Sequence, residues 1–104
     1  MDEVLKYKDR IAELSTKWSV REFGVFGSAA RGELRAGSDI DVLVSFDRAV
    51  ELDLIDIFHL KDELEALFGR KVDLVEREAI ETSDNWIVRR EILGSTEPVY
   101  AATL

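Results

Sequence analysis

Apolar residues recur along the chain with two different periods, one typical of helices and the other of strands. Helical spacing is found in three segments, residues 2–18, 53–68 and 84–93. Strand-like runs rich in β-branched and aromatic residues are found in four, residues 20–26, 39–46, 71–76 and 98–101. In the longest helix, the apolar residues expected on one buried face are Leu54, Ile57, Phe58, Leu64, Leu67 and Phe68.

The order of these elements predicts an α/β fold, a small mixed sheet with helices packed on one face. The other face of the sheet would remain open and could hold a functional site. The last strand contains Pro98, the only proline of the chain, and is therefore expected at an edge of the sheet. No repeat or linker-like tract interrupts the sequence, so residues 1–104 are expected to form one domain.

The composition argues against several functional classes. Acidic residues number 22 against 14 basic ones, and a net charge of −8 argues against stable, direct binding of nucleic acid through Lys and Arg. The absence of cysteine excludes disulfides, thiolate metal sites and thiol nucleophiles. No apolar run approaches the roughly 18 residues that a membrane span needs, and the charged start does not resemble a signal peptide. These features predict a cytoplasmic protein without a membrane partner.

Two carboxylates occupy polar positions of one predicted strand. Asp39 and Asp41 are two residues apart, so their side chains are expected to project from the same face of the sheet. The opposite face carries apolar side chains, namely Ile40, Val42, Val44 and Phe46. Like charges held side by side repel, and a divalent cation that prefers oxygen ligands, such as Mg²⁺, relieves the repulsion. The pair is therefore a candidate metal site.

Two further features could complete such a site. Asp73 lies between apolar residues in the strand 71–76, where an acid is costly without a function. Gly27-Ser28 directly follows the first strand, and the next residues favour a helical turn whose N–H groups could hold a phosphate. Alone, an Asp-x-Asp pair is usually solvated surface, a Gly-Ser pair is usually a turn, and Asp73 could be exposed on an edge strand. Together these features predict a nucleotidyl-transfer site with two metal ions.

The spacing of these residues resembles a known family signature. Gly27-Ser28, ten intervening residues and Asp39-Ile40-Asp41 resemble the motif of the DNA polymerase β nucleotidyltransferase superfamily. The longer string GSAARGELRAGSDIDVLV is similar to the minimal nucleotidyltransferases, the MNT proteins, and the similarity extends to EPVY near the end of the chain. The resemblance implies a palm-like α/β fold, two bound Mg²⁺ ions and ATP as the substrate.

The resemblance also implies a role for each matched residue. Gly27 and Ser28 would hold the triphosphate, and Asp39 and Asp41 would ligate the two metal ions. Asp73 would be the third acid, a ligand of the catalytic metal and a candidate base for the attacking hydroxyl. Members of this branch typically pair with a HEPN-domain toxin, an RNase, and act as antitoxins by transferring AMP from ATP to one of its tyrosines.

Three arginines are open to more than one interpretation. Arg31 lies in the loop after Gly27-Ser28 and could contact a phosphate, pair with Glu33 or cap the sheet. Arg89 and Arg90 lie on the last predicted helix, where a solvated face is the simpler expectation and a contact with the triphosphate or a partner is the alternative. The sequence alone does not decide between these roles.

These features together predict a Mg²⁺-dependent nucleotidyltransferase that acts as an antitoxin by transferring AMP from ATP to a hydroxyl, expected to be a tyrosine, of a HEPN-type toxin. The chain is expected to contain no further acceptor-binding domain, so the acceptor would bring its own surface, and a net charge of −8 suits a basic partner. Two alternatives stay open: an antitoxin that only binds and occludes its toxin, and a nucleotidyltransferase that acts on a small molecule or an RNA end. The sequence does not identify the nucleotide preference, the modified residue, the number of AMP groups transferred or the oligomeric state.

Overall fold

A computed structural model describes residues 2–102. Its elements, in chain order, are α1 Asp2–Leu5, α2 Lys8–Lys17, β1 Val20–Phe26, α3 Gly27–Ala30, β2 Ile40–Phe46, α4 Leu54–Phe68, β3 Val72–Glu76, α5 Arg77–Glu81, α6 Trp86–Ser95 and β4 Glu97–Ala101. The two ends of the predicted domain, Met1 and residues 103–104, lie outside the described residues. Within this described range, no helix is both long enough and apolar enough to cross a bilayer.

The four strands form one mixed sheet in the order β3-β2-β1-β4, which confirms the predicted fold class. β2 runs antiparallel to β1 and parallel to β3, and β4 pairs antiparallel with the other side of β1. Parallel neighbours need a crossover connection, and α4 supplies it between β2 and β3. This order places β4, with Pro98, at one edge as predicted and β3, with Asp73, at the other.

The core lies against one face of the sheet. Its buried residues are Val4, Ile11, Leu14, Val20, Phe23, Val25, Ala29, Ile40, Val42, Val44, Leu60, Leu64, Phe68, Val72 and Val99. Register partners from neighbouring strands, such as Val25 and Val42, lie side by side on this face. Truncating a fully buried member such as Leu64 to alanine typically costs about 2–5 kcal/mol of stability, so this face holds the sheet and the helices together.

The N-terminal helix is interrupted, although its sequence pattern predicts one continuous helix over residues 2–18. α1 and α2 are separated by Lys6 and Tyr7, where the helical pattern breaks. The Tyr7 ring packs edge-on against Phe68 of α4, with the ring centroids 5.6 Å apart. The break therefore coincides with a tertiary contact, and the periodicity of the sequence cannot predict such a contact.

α4 has the predicted ends but a narrower buried face. Asp53 and Asp56 form a capping box at its start, and Gly69 follows its last residue in the left-handed conformation, with a φ of 66°. Its buried residues are Leu60, Leu64 and Phe68. Leu54 and Phe58 were expected on the same face and are instead exposed, so that part of the prediction is wrong.

The second face of the sheet is only partly open. Leu43 projects from this face and is nevertheless 2% exposed. A β-carbon at Gly24 would come within 2.7 Å of a Thr96 methyl group, so residues at the end of α6 pack against this face. Asp41, nearer the start of β2, is half-buried and keeps contact with solvent. The end of the second face that carries the candidate acids is therefore accessible to solvent.

Candidate active site

Two of the candidate acids are register partners on neighbouring strands. Asp41 is the second residue of β2 and lies opposite Asp73, the second residue of β3, in the parallel pair. Paired residues project from the same side of a sheet, so both carboxylates lie on the face opposite the core. The α4 crossover thus brings together two acids that are distant in the sequence.

Asp41 is the acid most affected by its surroundings. Burial raises the pKa of the Asp41 carboxyl, and the negative charges of Asp73 and Asp39 raise that pKa further. Asp39 lies one residue before β2 and is exposed, as is Asp73. Asp41 therefore experiences the charge of both other acids while being the least solvated of the three.

The three acids share one region without forming a ready-made cation site. Within residues 2–102, no three His, Asp or Glu side chains are gathered closely enough to hold a metal ion. Carboxylates are nevertheless the hard oxygen ligands that Mg²⁺ prefers, and a divalent cation would relieve the repulsion that helps to raise the pKa of Asp41. The donor set fits Mg²⁺ chemically, and side-chain movement would be needed to bring three carboxylates around one ion.

Gly27 provides the space that the Asp41 carboxylate occupies. It begins α3 directly after β1 with a φ of 64°, in the left-handed region that favours glycine. A β-carbon at this position would overlap the carboxylate of Asp41. Phe26, the residue before it, is the register partner of Asp41 across β1 and β2. The structure therefore brings the Gly-Ser turn and the acid into direct contact.

Ser28 and Arg31 belong to the turn that follows. Ser28 is half-buried, and its carbonyl oxygen accepts a hydrogen bond from the N–H of Glu33 at 2.9 Å. Arg31 donates from Nε to the Glu33 carboxylate at 3.1 Å, which is one of its expected roles. Arg31 also opposes the effect of burial by lowering the pKa of Asp41, so its charge acts on the site. The ion pair between Arg31 and Glu33 is exposed and therefore weak, which leaves Arg31 free to turn towards a phosphate.

Arg70 is a residue near the site that sequence reasoning missed. Its Nη1 atom donates hydrogen bonds to the carbonyl oxygens of Arg35, at 2.5 Å, and Ser38, at 3.2 Å. Ser38 precedes Asp39, so Arg70 fastens the loop from which that acid projects. An arginine in the turn after a helix is common on protein surfaces, and nothing in the sequence distinguishes this one.

The two arginines of α6 have no contact with the acids. Arg89 donates to the carbonyl oxygen of Ser83 at 2.8 Å and so fastens the turn before its own helix. Arg90 is exposed. Neither contributes to the pKa shift of Asp41, in contrast to Arg31. Since α6 lies beside α3, a contact of Arg89 or Arg90 with a triphosphate stays a prediction.

A cleft of about 680 Å³ adjoins Asp39. Its walls include three basic side chains, Lys6, Arg70 and Lys71, and the ring of Tyr7. Positive charge beside the acids is unusual in a chain with a net charge of −8. Glu3 also lines the cleft and forms an ion pair with Lys6 at 3.4 Å, so Arg70 and Lys71 are the basic side chains most favourable for an anionic group such as a phosphate chain.

Comparison with known proteins agrees with this geometry. Residues 8–97 match the family described as nucleotidyltransferase domain. The protein adenylyltransferase MntA of Thermococcus cleftensis is 41% identical over 81 residues, which cover 78% of this chain and 80% of that protein. The family match over residues 8–97 spans the Gly-Ser turn and all three candidate acids.

Solved structures share the fold. A structure described as a candidate minimal nucleotidyltransferase is 32% identical, with a TM-score of 0.73 and 93% of each chain covered. A chain of a toxin–antitoxin complex with AMP-PNP is 21% identical, with a TM-score of 0.69, over 92% of this chain and 74% of that one. A chain from the complex of tri-AMPylated Shewanella oneidensis HEPN toxin with MNT antitoxin is 19% identical, with a TM-score of 0.63, over 98% and 74%. These last two likenesses concern the fold alone. Since the family match spans residues 8–97 and the turn at Gly27 meets Asp41 beside Asp73, the chain belongs to the nucleotidyltransferase domain family, among the minimal nucleotidyltransferases.

Proposed function

We propose that the protein transfers AMP from ATP to a hydroxyl of a HEPN-type toxin and thereby acts as its antitoxin. The observation that carries the proposal is the contact of Gly27 with Asp41, which is in turn the register partner of Asp73. The relatives support the choice of nucleotide and acceptor: one is a protein adenylyltransferase, and the complexes of similar fold contain AMP-PNP in one case and an AMPylated HEPN toxin in the other.

Each candidate residue has a task in this reaction. Gly27 and Ser28 hold the triphosphate at the start of α3, and Arg31 leaves Glu33 to bind a phosphate oxygen. Asp39 and Asp41 would hold two Mg²⁺ ions, with Asp73 as a further ligand. When bound, the ions would supply positive charge against the triphosphate and the leaving pyrophosphate.

The acceptor hydroxyl, proposed to be that of a tyrosine, attacks the α-phosphorus of ATP. A bond forms between the hydroxyl oxygen and this phosphorus, the bond to the oxygen bridging the α- and β-phosphates breaks, and pyrophosphate leaves. Asp73 is our candidate to accept the hydroxyl proton, because it is exposed beside Asp41 and an acceptor can reach it. The basic walls of the cleft beside Asp39 would favour the phosphate chain.

The acceptor is proposed to be a basic protein, because a net charge of −8 attracts such a partner. The same charge disfavours a stable complex with nucleic acid. We place the reaction in the cytoplasm, where ATP and Mg²⁺ are available together, and treat residues 1–104 as one catalytic domain.

The test is incubation of the purified protein with its cognate HEPN toxin, ATP and Mg²⁺, followed by intact mass measurement of the toxin. The toxin should gain AMP, and the double variant Asp39→Ala with Asp41→Ala should slow the gain by at least about a hundredfold. Asp9→Ala, an exposed acid on α2, is the matched control and should transfer AMP at the parent rate. A toxin that gains no AMP, or gains it equally from the double variant, contradicts the proposal.

The same double variant tests the alternative function. An antitoxin that only occludes its toxin would neutralise it without Asp39 and Asp41. If the double variant protects cells from the toxin as well as the parent does, occlusion is the function. Loss of protection together with loss of AMP transfer favours catalysis.

A further inference from the structure

α4 exposes an apolar face near its first turn. Leu54, Ile55 and Phe58 are 64%, 63% and 52% exposed. Their spacing of i, i+1 and i+4 places them on one side of the helix, and these three residues are called the α4 face below. Single exposed apolar residues are ordinary, but three large ones on one side of a helix indicate a contact surface. Trp86, Ile87 and Val88 on α6 are also exposed, but they are consecutive and therefore point in different directions around that helix.

The α4 face lies far from the candidate acids. The last turn of α4, at Phe68, lines the same cleft as Asp39. Near the start of the helix, Ile57 instead lines a second cleft together with Phe46 and Glu76, the last residues of β2 and β3. α4 has 15 residues, which corresponds to a length of about 22 Å. A partner on the α4 face therefore leaves the nucleotide site open.

This second cleft adjoins the start of α4 and has a volume of about 450 Å³. Apolar side chains such as Phe46 and Ile57 form part of its walls. Its charged residues are five acids and one base, namely Asp47, Glu51, Glu76, Glu78, Glu81 and Arg48. None of the five acids belongs to an ion pair in the part of the chain that the structure describes.

The charge around the α4 face identifies the kind of occupant. Residues 47–66 contain seven acids and only two Lys or Arg residues. A second copy of the chain is disfavoured, because a symmetric contact would press the same acidic surface against itself. An Arg or Lys of another protein fits well, since its aliphatic stem can lie on apolar walls while its charged end meets the carboxylates.

We propose that the α4 face and the adjoining acidic cleft form the docking surface for the acceptor protein, which presents a segment that combines Arg or Lys with apolar side chains. This inference rests on the proposed function, because it takes the docked protein to be the acceptor of AMP. Docking on α4 determines how tightly the acceptor is held, whereas the acids at the other end of the helix determine how fast it is modified.

The apolar part of the surface is tested with a matched pair of substitutions. Ile55→Lys changes the α4 face, and Ile87→Lys changes an isoleucine on α6 that is similarly exposed, at 55%. Binding to the cognate HEPN toxin is measured by calorimetry, and thermal unfolding confirms that both variants are folded. Ile55→Lys should weaken the Kd at least about tenfold and Ile87→Lys less than about twofold. Equal effects of the two substitutions, or no effect of Ile55→Lys, overturn the proposal.

The acidic part is tested by charge reversal in two double variants that have the same net charge as each other. Glu78→Lys with Glu81→Lys alters the cleft, and Asp9→Lys with Glu91→Lys alters exposed acids elsewhere by the same total charge. The cleft variant should weaken toxin binding at least about tenfold and flatten its dependence on salt concentration, while the control pair keeps most of the parent affinity. Equal weakening by both pairs shows a long-range field without a docking cleft and overturns the proposal.

Binding and AMP transfer are scored separately, so the two proposals can fail independently. If the parent protein binds the toxin through Ile55 without modifying it, the proposed function is wrong and the docking surface is still supported. If the parent protein transfers AMP but Ile55→Lys binds the toxin as tightly as the parent does, the proposed function stands and the docking surface is wrong. If the chain alone forms a dimer that Ile55→Lys dissociates, the α4 face belongs to a second copy and the docking proposal is wrong.

Discussion

The guanidinium of Arg70 donates a hydrogen bond of 3.2 Å to the carbonyl oxygen of Ser38, the residue immediately before Asp39. The same nitrogen donates to the carbonyl oxygen of Arg35 at 2.5 Å, so one side chain holds both ends of a tight turn. Asp39 itself is exposed and depends on this turn for its position. Arg70 is therefore a positioning residue, which acts on the candidate site through the backbone.

Replacing Arg70 should lower the rate of AMP transfer more than it weakens ATP binding. Arg70→Gln removes two hydrogen bonds from a charged donor, so we expect kcat to fall about tenfold while the KM for ATP changes less. Arg70→Lys should recover part of the rate, because an ammonium group can still donate to one of the carbonyls. Pyrophosphate release measures both constants. Arg10→Gln on α2 is the control, and a parent-like kcat for Arg70→Gln contradicts the assignment.

Gly27 and Gly32 provide a test that separates backbone strain from crowding of the site. Both have left-handed backbones, with φ of 64° and 71°, but a β-carbon would overlap Asp41 at Gly27 and meets no atom within 4 Å at Gly32. The left-handed backbone alone should lower the free energy of unfolding of each alanine variant by about 1–2 kcal/mol. Gly27→Ala should in addition lose AMP transfer, whereas Gly32→Ala should keep it. Thermal unfolding and the transfer assay check this, and equal activity of the two variants contradicts it.

Removing the charge of Asp41 should stabilise the metal-free protein at neutral pH. Burial and the neighbouring acids raise the pKa of Asp41 above its ordinary value of 3.8, so the folded protein binds this proton more tightly than the unfolded chain. Ionisation therefore costs stability: the cost is absent below about pH 3.8 and complete above the raised pKa. Asp41→Asn should raise the Tm at pH 7 in the presence of a chelator, and its advantage should disappear as the pH falls below 4. An Asn variant that is less stable at pH 7 contradicts this.

Mg²⁺ should stabilise the parent protein through its carboxylates. An ion at a hundred times its Kd adds about 2.7 kcal/mol to the free energy of unfolding, which raises the Tm by several degrees in a protein of this size. Asp73→Asn should reduce this rise if Asp73 is a ligand, and Asp9→Asn should not. Thermal unfolding with and without Mg²⁺, each in the presence of ATP, measures the effect. An undiminished rise in Asp73→Asn would leave Asp73 as an exposed residue of an edge strand.

The fold was largely predictable because its strands have clear patterns. The alternation in β2 identified the buried Ile40 and Val42, and Pro98 identified an edge strand. The break at Tyr7 was not predictable, since its ring contact with Phe68 exists only in the folded protein. α5 was missed because five residues are too few to show a helical period.

The sequence indicated which residues belong to the candidate site, and their roles stay predictions; it did not indicate their geometry. The motif named Gly27, Asp41 and Asp73, but their mutual contacts depend on the strand register and on a turn with a left-handed glycine. Arg70 acts through carbonyl oxygens, which every residue possesses, so no sequence pattern marks its partners. The exposure of Phe58 likewise reflects which neighbours the tertiary fold provides.

Because α4 is 15 residues long, a protein that contacts both of its ends must span the length of this helix. A partner held at the first turn must deliver its hydroxyl to the neighbourhood of Asp39, about 22 Å away. An extended chain covers this distance with about six or seven residues. The modified tyrosine should therefore lie outside the surface that α4 binds, separated from it by about the length of the helix.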